Sequence, residues 1–314
     1  MDSYVSFPKL GWKFFIEEEI VSFPFFNTEI TLRWYGLLIA IGFMLAIVYG
    51  FRNAKRFGIQ KDPMWDVVLV CTVMAFIGAR LYYVVFSEDR AMYFANPLSI
   101  LEIWEGGLAI YGGVIFAFLS ALLMCRWRKV DTLRMFDLAA VCFPIGQAIG
   151  RWGNFFNQEA YGSNTDLPWG MMGSWISSPA NPTTGYDHSL PVHPTFLYES
   201  LWCIFAFVLL HWISRKAYKF KGQLFCTYVM WYGTGRFFIE QLRTDSLPFF
   251  TMRISCVVAL LSVIGAAFLY AYLKRRAVRL AEAAEDTEST LAVELPVEEI
   301  AEEETEEQQD GEEN

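Results

Sequence analysis

Charge is scarce in most of this chain and crowded at one end. Only 19% of its 314 residues are charged and 54% are hydrophobic, whereas a soluble domain averages about 25% charged. A soluble enzyme is excluded on that balance. There are three histidines, and none of the six cysteines forms a C-x-x-C pair, so neither a zinc site nor a redox dithiol has its usual ligand pattern. P-loop and dinucleotide fingerprints are missing as well. No cofactor and no metal is expected. Cys71, Cys125, Cys142, Cys203, Cys226 and Cys256 all lie in or beside apolar runs and read as small buried side chains. The first 33 residues carry Glu17, Glu18 and Glu19 and no basic-then-apolar start, which argues against a cleaved signal peptide. Internal repeats do not stand out, which counts against a transporter built from them. Residues 281–314 lack lysine and arginine and hold 15 of the 34 acidic residues, leaving 25 basic against 19 acidic in the body. The net charge of −9 is therefore a property of the tail, whose composition is that of a solvated, disordered segment. The basic residues of the body are scattered among loops, so charge gives no support to a nucleic-acid partner.

What the chain has is apolar length. About 20 mostly apolar residues cross a bilayer core, and seven runs approach or reach that length, at 34–51, 65–86, 107–125, 135–150, 195–213, 223–242 and 254–273. The fourth is short and contains Pro144, which predicts a kink. Every second connection carries four basic residues. These are Arg52, Lys55, Arg56 and Lys61; Arg126, Arg128, Lys129 and Arg134; Arg215, Lys216, Lys219 and Lys221; and Lys274, Arg275, Arg276 and Arg279. By contrast, the 44 residues of 151–194 hold one basic residue, Arg151. The positive-inside rule then puts the N-terminus outside and the C-terminus in the cytoplasm. The expected fold is an all-α integral membrane protein of about seven transmembrane helices. Residues 1–33 form an extracytoplasmic N-terminal segment and 34–280 the membrane domain. That domain carries a small extracytoplasmic subdomain at 151–194, and 281–314 form a disordered acidic cytoplasmic tail.

Ionisable groups inside spans cost roughly 2.5–3.5 kcal/mol each and mark function by default. Here they gather towards the outer leaflet: Arg80 in span two, Arg151 past span four, His193 and Glu199 around the start of span five, and Arg236, Glu240 and Arg243 in span six, with Tyr35 and Tyr111 near outer span ends. Arg236, Glu240 and Arg243 fall at i, i+4 and i+7, one helical face. Glu240 either neutralises both arginines as a packing element or leaves a positive charge for an anionic ligand. Arg80 either snorkels to headgroups or binds. Thr195, after His193 and Pro194, is a candidate helix cap. The most specific stretch runs from Gly150 to Gly162, with Arg151, Asn154, Asn157 and Glu159 among glycines and aromatics. It reads as a structured loop, and the Arg151 fork suits a phosphate. From these residues alone, three functions fit: a phospholipid-processing enzyme, a transporter of an anionic solute, and a receptor for an anionic lipid.

Taken together, these motifs resemble the bacterial prolipoprotein diacylglyceryl transferase family. Its G-R-x-G-N-F-x-N-x-E-x-x-G signature is matched at Gly150, Arg151, Gly153, Asn154, Phe155, Asn157, Glu159 and Gly162. Further matches are Trp34-Tyr35-Gly36, Gly78-x-Arg80, Gly106-Gly107, His193-Pro194-Thr195 with Tyr198-Glu199, and Tyr232-Gly233 with Arg236, Glu240 and Arg243. The resemblance runs in order from about residue 30 to 275.

It implies transfer of a diacylglyceryl group from phosphatidylglycerol to the lipobox cysteine of a prolipoprotein signal peptide. A thioether forms and glycerol-1-phosphate leaves, as the first step of bacterial lipoprotein maturation. The expected setting is the bacterial cytoplasmic membrane, with membrane lipids around a monomer. The implied catalytic residues are Arg151, Arg236, Tyr111 and Glu240. Phosphatidylglycerol is expected to meet Arg151, Tyr35, Asn154, Glu159, Arg80, Arg243 and His193. Two positions depart from the family pattern. Arg33 stands where relatives commonly have histidine before Trp34, and Tyr111-Gly112-Gly113 replaces a frequent His-Gly-Gly. An imidazole proposed as base in some accounts of the family is therefore missing at 111.

Overall fold

Among the described residues, six helices are long and apolar enough to cross a membrane: Trp34–Phe57, Lys61–Phe86, Ile110–Trp127, Thr132–Phe156, Thr195–Lys216 and Ile254–Thr287. They belong to a computed structural model that describes residues 3–25, 28–87, 90–102, 106–244, 248–249 and 252–294. In chain order the helices are α1 (Trp34–Asn53), α2 (Lys61–Phe86), the short α3 (Arg90–Ala95), α4 (Ile110–Trp127), α5 (Thr132–Phe156), α6 (Thr195–Lys216), α7 (Gln223–Glu240) and α8 (Ile254–Glu294). Hydrocarbon offers no partner for a bare amide, so apolar runs of this length close their hydrogen bonds internally as helices. Leu69, Val114, Leu123, Phe205 and Phe268 are exposed on their outer faces, the pattern of a protein whose apolar periphery is covered by lipid. The chain is thus a mostly helical integral membrane protein.

The sixth expected run, 223–242, is also a helix, but it does not meet the same test of composition. Its last turns hold Arg236 and Glu240, with Glu240 buried, so its polar groups face protein. It packs against α8, α6 and α5. A span enclosed by other helices needs less apolar surface than one facing lipid.

Several boundaries differ from the sequence reading. The fourth run is not short: α5 continues through Pro144 to Phe156, so Arg151 and Asn154 stand on a helix and not on a loop. The α7 helix ends at Glu240, which leaves Arg243 beyond it in a turn that pairs with Gly162 as an isolated bridge. Thr195 does not cap α6. The cap position is Pro194, with no side-chain bond, and the buried Thr195 hydroxyl instead donates to the Ala160 carbonyl. Finally, α8 runs on to Glu294, past the boundary at 280 expected for the disordered tail. Alanine, glutamate and leucine between 281 and 294 are strong helix formers, so a span can carry its helix on into them. Residues 295–314 of that tail lie outside the described residues.

Strands add a small subdomain. Strands β1 (Tyr4–Phe7) and β2 (Trp12–Phe15) form a hairpin, β3 (Glu19–Phe25) and β4 (Thr28–Arg33) form another, and β5 (Met172–Gly173) lies in the 151–194 segment. The sheet order is β2-β1-β5, antiparallel throughout, with Val5 opposite Gly173 and Ser6 opposite Met172. Residues 3–16 and 151–194 therefore form one body, where the sequence suggests two separate segments. Its core joins Val5, Phe7, Phe155, Met171, Ile176 and Val192. A last short pair, β6 (Pro248–Phe249) and β7 (Met252–Arg253), precedes α8.

At the opposite end of the bundle a larger core gathers around Phe57, Val67, Leu138, Val141, Leu210 and Leu224. Asp137 of α5 is fully buried there. It accepts hydrogen bonds from Tyr218 Oη (2.7 Å), Gly222 N (2.6 Å) and Phe225 N (2.9 Å). The last two amides open α7, where amides lack helical partners. A carboxylate from α5 thus caps α7 and fixes how far the two helices slide against each other.

Candidate active site

Arg151 on α5, Glu199 on α6 and Arg236 and Glu240 on α7 meet where the helices reach the small subdomain. Glu199 is the hub. Its Oε2 lies 2.5 Å from Arg151 Nη2, and its Oε1 lies 2.9 Å from Arg236 Nη1 and 3.7 Å from Arg243 Nη1. Glu240 Oε2 takes Arg236 Nη2 at 2.6 Å and Arg243 Nε at 3.9 Å. The carboxylates are enclosed, with side-chain exposures of 5% and 2%, while the arginines keep 23%, 20% and 12%. Burying a carboxylate is tolerable only when it is paired, and both are. Within this enclosed network three guanidiniums face two carboxylates, one positive charge in excess, while the exposed Glu159 bonds Asn154 and not an arginine. An anion is the species that completes such a site.

Neighbouring contacts fix Arg151. Its Nη1 donates to Asn154 Oδ1 at 3.4 Å, and Asn154 Nδ2 donates to Glu159 Oε1 at 2.8 Å. The Tyr35 ring lies against α5 at Gly153, where any Cβ would stand 2.3 Å from it. The chain after α5 is stitched to both neighbours: Gly162 N donates to His193 O (2.9 Å) and Ser163 N to Leu242 O (2.8 Å). A Cβ at Gly162 would fall 2.8 Å from both His193 Cβ and Leu242 O, so only glycine allows this crossing. It sets the entries of α6 and the end of α7 at the depth where Glu199 meets its arginines.

His193 is tied to this frame and does not ion-pair with the cluster. Its Nδ1 is 3.2 Å from Tyr198 Oη, which also takes the Trp169 indole N–H at 2.8 Å. Burial pushes the His193 imidazole below its usual value. The ring and the Tyr198 hydroxyl share one hydrogen bond, and the same hydroxyl oxygen accepts from Trp169.

Two expected residues stand apart. Arg80 directs all five of its N–H donors at backbone carbonyls, those of Ser99, Ile100, Glu102, Gly106 and Gly107, at 2.8–3.3 Å. It is buried and clamps the segment between α3 and α4. With every donor used, it has none left for a phosphate. Tyr111, at the start of α4, is 45% exposed and meets Ser255 Oγ of α8 at 3.5 Å. Among the described residues, no group of three or more His, Cys, Asp or Glu side chains could hold a metal ion.

The prolipoprotein diacylglyceryl transferase family model matches residues 23–272. The chain belongs to the prolipoprotein diacylglyceryl transferase family. It is similar to a phosphatidylglycerol–prolipoprotein diacylglyceryl transferase of Clostridioides difficile, at 39% identity over 256 residues, 82% of this chain and 96% of the relative. A Clostridium novyi protein of the same name is 44% identical over 246 residues, 78% and 91% of the two chains. One from Lysinibacillus sphaericus is 45% identical over 221 residues, 69% and 79%.

The family match spans α1 to α7 and stops inside α8, before the acidic residues. Within this family frame, the structure brings together Arg151, Asn154, Glu159, Arg236, Glu240 and Arg243, with Tyr35 alongside. Glu199, absent from the expected site residues, is the group that joins the arginines. Its signal was in the sequence, as a carboxylate one turn inside span five. Asp137 was missed as well, although it is the sole charge of the fourth run. Arg33, the family departure before Trp34, faces Glu19 at 3.6 Å across the β3–β4 hairpin, and both are exposed.

Proposed function

We propose that this chain transfers the diacylglyceryl group of phosphatidylglycerol to the lipobox cysteine of a prolipoprotein, the first step of lipoprotein maturation. It is a transferase of the bacterial cytoplasmic membrane. The observation that carries the reading is the convergence of Arg151, Arg236 and Arg243 on Glu199. An arginine cluster whose enclosed network carries one net positive charge, set where the helices reach the small subdomain, suits a lipid phosphate.

The chemistry follows from the charges. A cysteine sulfur attacks the glyceryl carbon that bears the phosphate ester, an S–C bond forms and the C–O bond breaks. The electron pair leaves on a phosphate oxygen of glycerol-1-phosphate, and the thiol proton goes to solvent or base. The thiolate is the nucleophile, and a free cysteine has a pKa of about 8.5, so nearby positive charge promotes it. The phosphate starts with one negative charge and gains a second as it leaves. Guanidiniums aimed at that charge stabilise the transition state more than the ground state.

Arg151 and Arg236 hold the phosphate. Glu199 and Glu240 hold the arginines, with Arg243 completing the set. Asn154 and Glu159 orient Arg151. Tyr35 and Tyr111 border the headgroup, and His193 and Arg80 act through the backbone segments they fix. In this reading the enzyme works as a monomer with seven spans, and the small subdomain and N-terminus lie outside.

Two experiments test it. Purified protein with phosphatidylglycerol and a lipobox peptide is expected to add a diacylglyceryl mass to the peptide, and to leave a Cys→Ser peptide unchanged. Lipid turnover without peptide modification would overturn the reading. Reporter fusions after residues 60, 130, 218 and 280 are expected to report cytoplasm, and a fusion at 175 the outside. A cytoplasmic signal at 175 would overturn the orientation.

A further inference from the structure

The cluster has a neighbour that the motifs do not include. Arg253 closes β7 directly before α8. It is half-buried, and its Nη1 donates to the Glu240 carbonyl oxygen at the C-terminal end of α7. Arg151, Arg236 and Arg243 each face a carboxylate. Arg253 differs: among the described residues it has a carbonyl partner and no carboxylate.

The first turn of α8 carries Arg253's neighbours into the same place. Ser255 Oγ meets the Tyr111 hydroxyl at 3.5 Å, and Cys256 Sγ meets the Phe237 carbonyl at 3.8 Å. This short stretch therefore links the α7 face that holds Arg236 and Glu240 to the α4 end that holds Tyr111. Arg253 stands at the junction.

Charge arithmetic then distinguishes its role from that of the other three. Arg151, Arg236 and Arg243 against Glu199 and Glu240 leave one positive charge, which matches the single charge of a phosphodiester. Adding Arg253 leaves two, which matches the phosphate monoester that departs. Resting on the function proposed above, we infer that Arg253 is a fourth phosphate-binding arginine, and that it takes the charge the phosphate gains as its C–O bond breaks. The electron pair of that bond goes to the ester oxygen, so the second charge appears on the phosphate as the lipid glycerol carbon passes to sulfur. A guanidinium whose partner among the described residues is a carbonyl has donors to spare for it.

The test uses the full-length protein in detergent, with glycerol-1-phosphate as added inhibitor and R253Q and R253K as variants. An arginine that meets the departing charge acts late. R253Q is therefore expected to lower kcat by about 10-fold or more, with KM for phosphatidylglycerol within about 3-fold. Glycerol-1-phosphate should inhibit R253Q about 10-fold more weakly, and R253K should fall between. In the wild type, inhibition should strengthen as pH rises through the second phosphate ionisation, near about 6, and R253Q should lose that rise. A role confined to capping α7 would leave the inhibition and its pH profile unmoved. Equal inhibition of wild type and R253Q overturns the inference, as does wild-type inhibition that is flat with pH. If R253Q does not fold, R253K and the wild-type pH series decide. A wild type that transfers nothing to the peptide refutes the function itself. A wild type that transfers, beside an R253Q variant inhibited as strongly, refutes only the role of Arg253.

Discussion

Arg151 and Glu199 meet across the α5–α6 boundary at 2.5 Å, and the other carboxylate oxygen of Glu199 holds Arg236 at 2.9 Å. One enclosed carboxylate thus spaces two guanidiniums carried by different helices. Removing its charge leaves three arginines with Glu240 alone. Breaking an enclosed ion pair by deleting one partner costs about 3–5 kcal/mol, because the remaining charges lose compensation. Glu199→Gln is expected to lower transfer at least about 100-fold, with a lower unfolding temperature. Near wild-type turnover in a folded variant would mean that the arginines do not need this hub.

Arg151→Lys and Arg236→Lys test geometry against charge. Each guanidinium offers separate nitrogens to separate partners: Arg236 uses Nη1 for Glu199 and Nη2 for Glu240. An ammonium is a point charge that cannot keep that fork. Both lysine variants are expected to fall within about tenfold of the alanine variants in transfer rate. Steady-state assays of the four proteins decide it, and lysine variants that keep most activity would contradict the bidentate account.

His193 predicts an acid limb. Burial keeps its imidazole pKa low, so the folded state binds the proton less readily than an unfolded histidine at about 6.5. Stability is therefore fully present above that value and falls as pH drops through it towards the lower folded pKa. A protonated ring can only donate to Tyr198 Oη, so the hydroxyl that also takes the Trp169 N–H must reorient around it. Thermal unfolding of the wild type should shift down between about pH 7 and 5 more steeply than that of His193→Asn. Parallel pH slopes for the two proteins would contradict this.

Asp137 lies at the far end of α5 from the cluster, and its role is to hold α7. In Asp137→Asn, one side-chain oxygen becomes an N–H that faces amide donors. The expected loss is about 1.5–3 kcal/mol of stability, seen as a lower unfolding temperature. Transfer per folded molecule should change less than in any of the arginine variants. A large loss of turnover with unchanged unfolding would show that Asp137 does more than cap.

The spans were legible in the sequence because hydrocarbon imposes one rule on length and apolarity. Six of the seven runs obey it outright, and 223–242 departs because Arg236 and Glu240 face protein. Motif spacing also made Arg151, Arg236, Glu240 and Arg243 legible. What was not legible depends on packing between distant segments. The pairing of Val5 with Gly173 comes from short strands 168 positions apart, too brief for any periodicity. Arg80 reads as a binding residue from its type and depth. Only the fold reveals five carbonyls around it. Tyr111 shares a motif position with the family's histidine, yet its nearest described polar partner is Ser255 on another helix. Glu199 was visible as a charge in a span, but its role as a hub requires knowing which three helices converge.

Reaction of phosphatidylglycerol at this arginine cluster is the expected outcome. It is tested most directly by counting glycerol-1-phosphate and modified peptide in one reaction, for the wild type and Arg151→Ala purified side by side. The wild type is expected to release one glycerol-1-phosphate for each peptide that gains a diacylglyceryl group, and Arg151→Ala, still folded, to release essentially none. Equal release by both proteins would place the chemistry elsewhere and contradict the account.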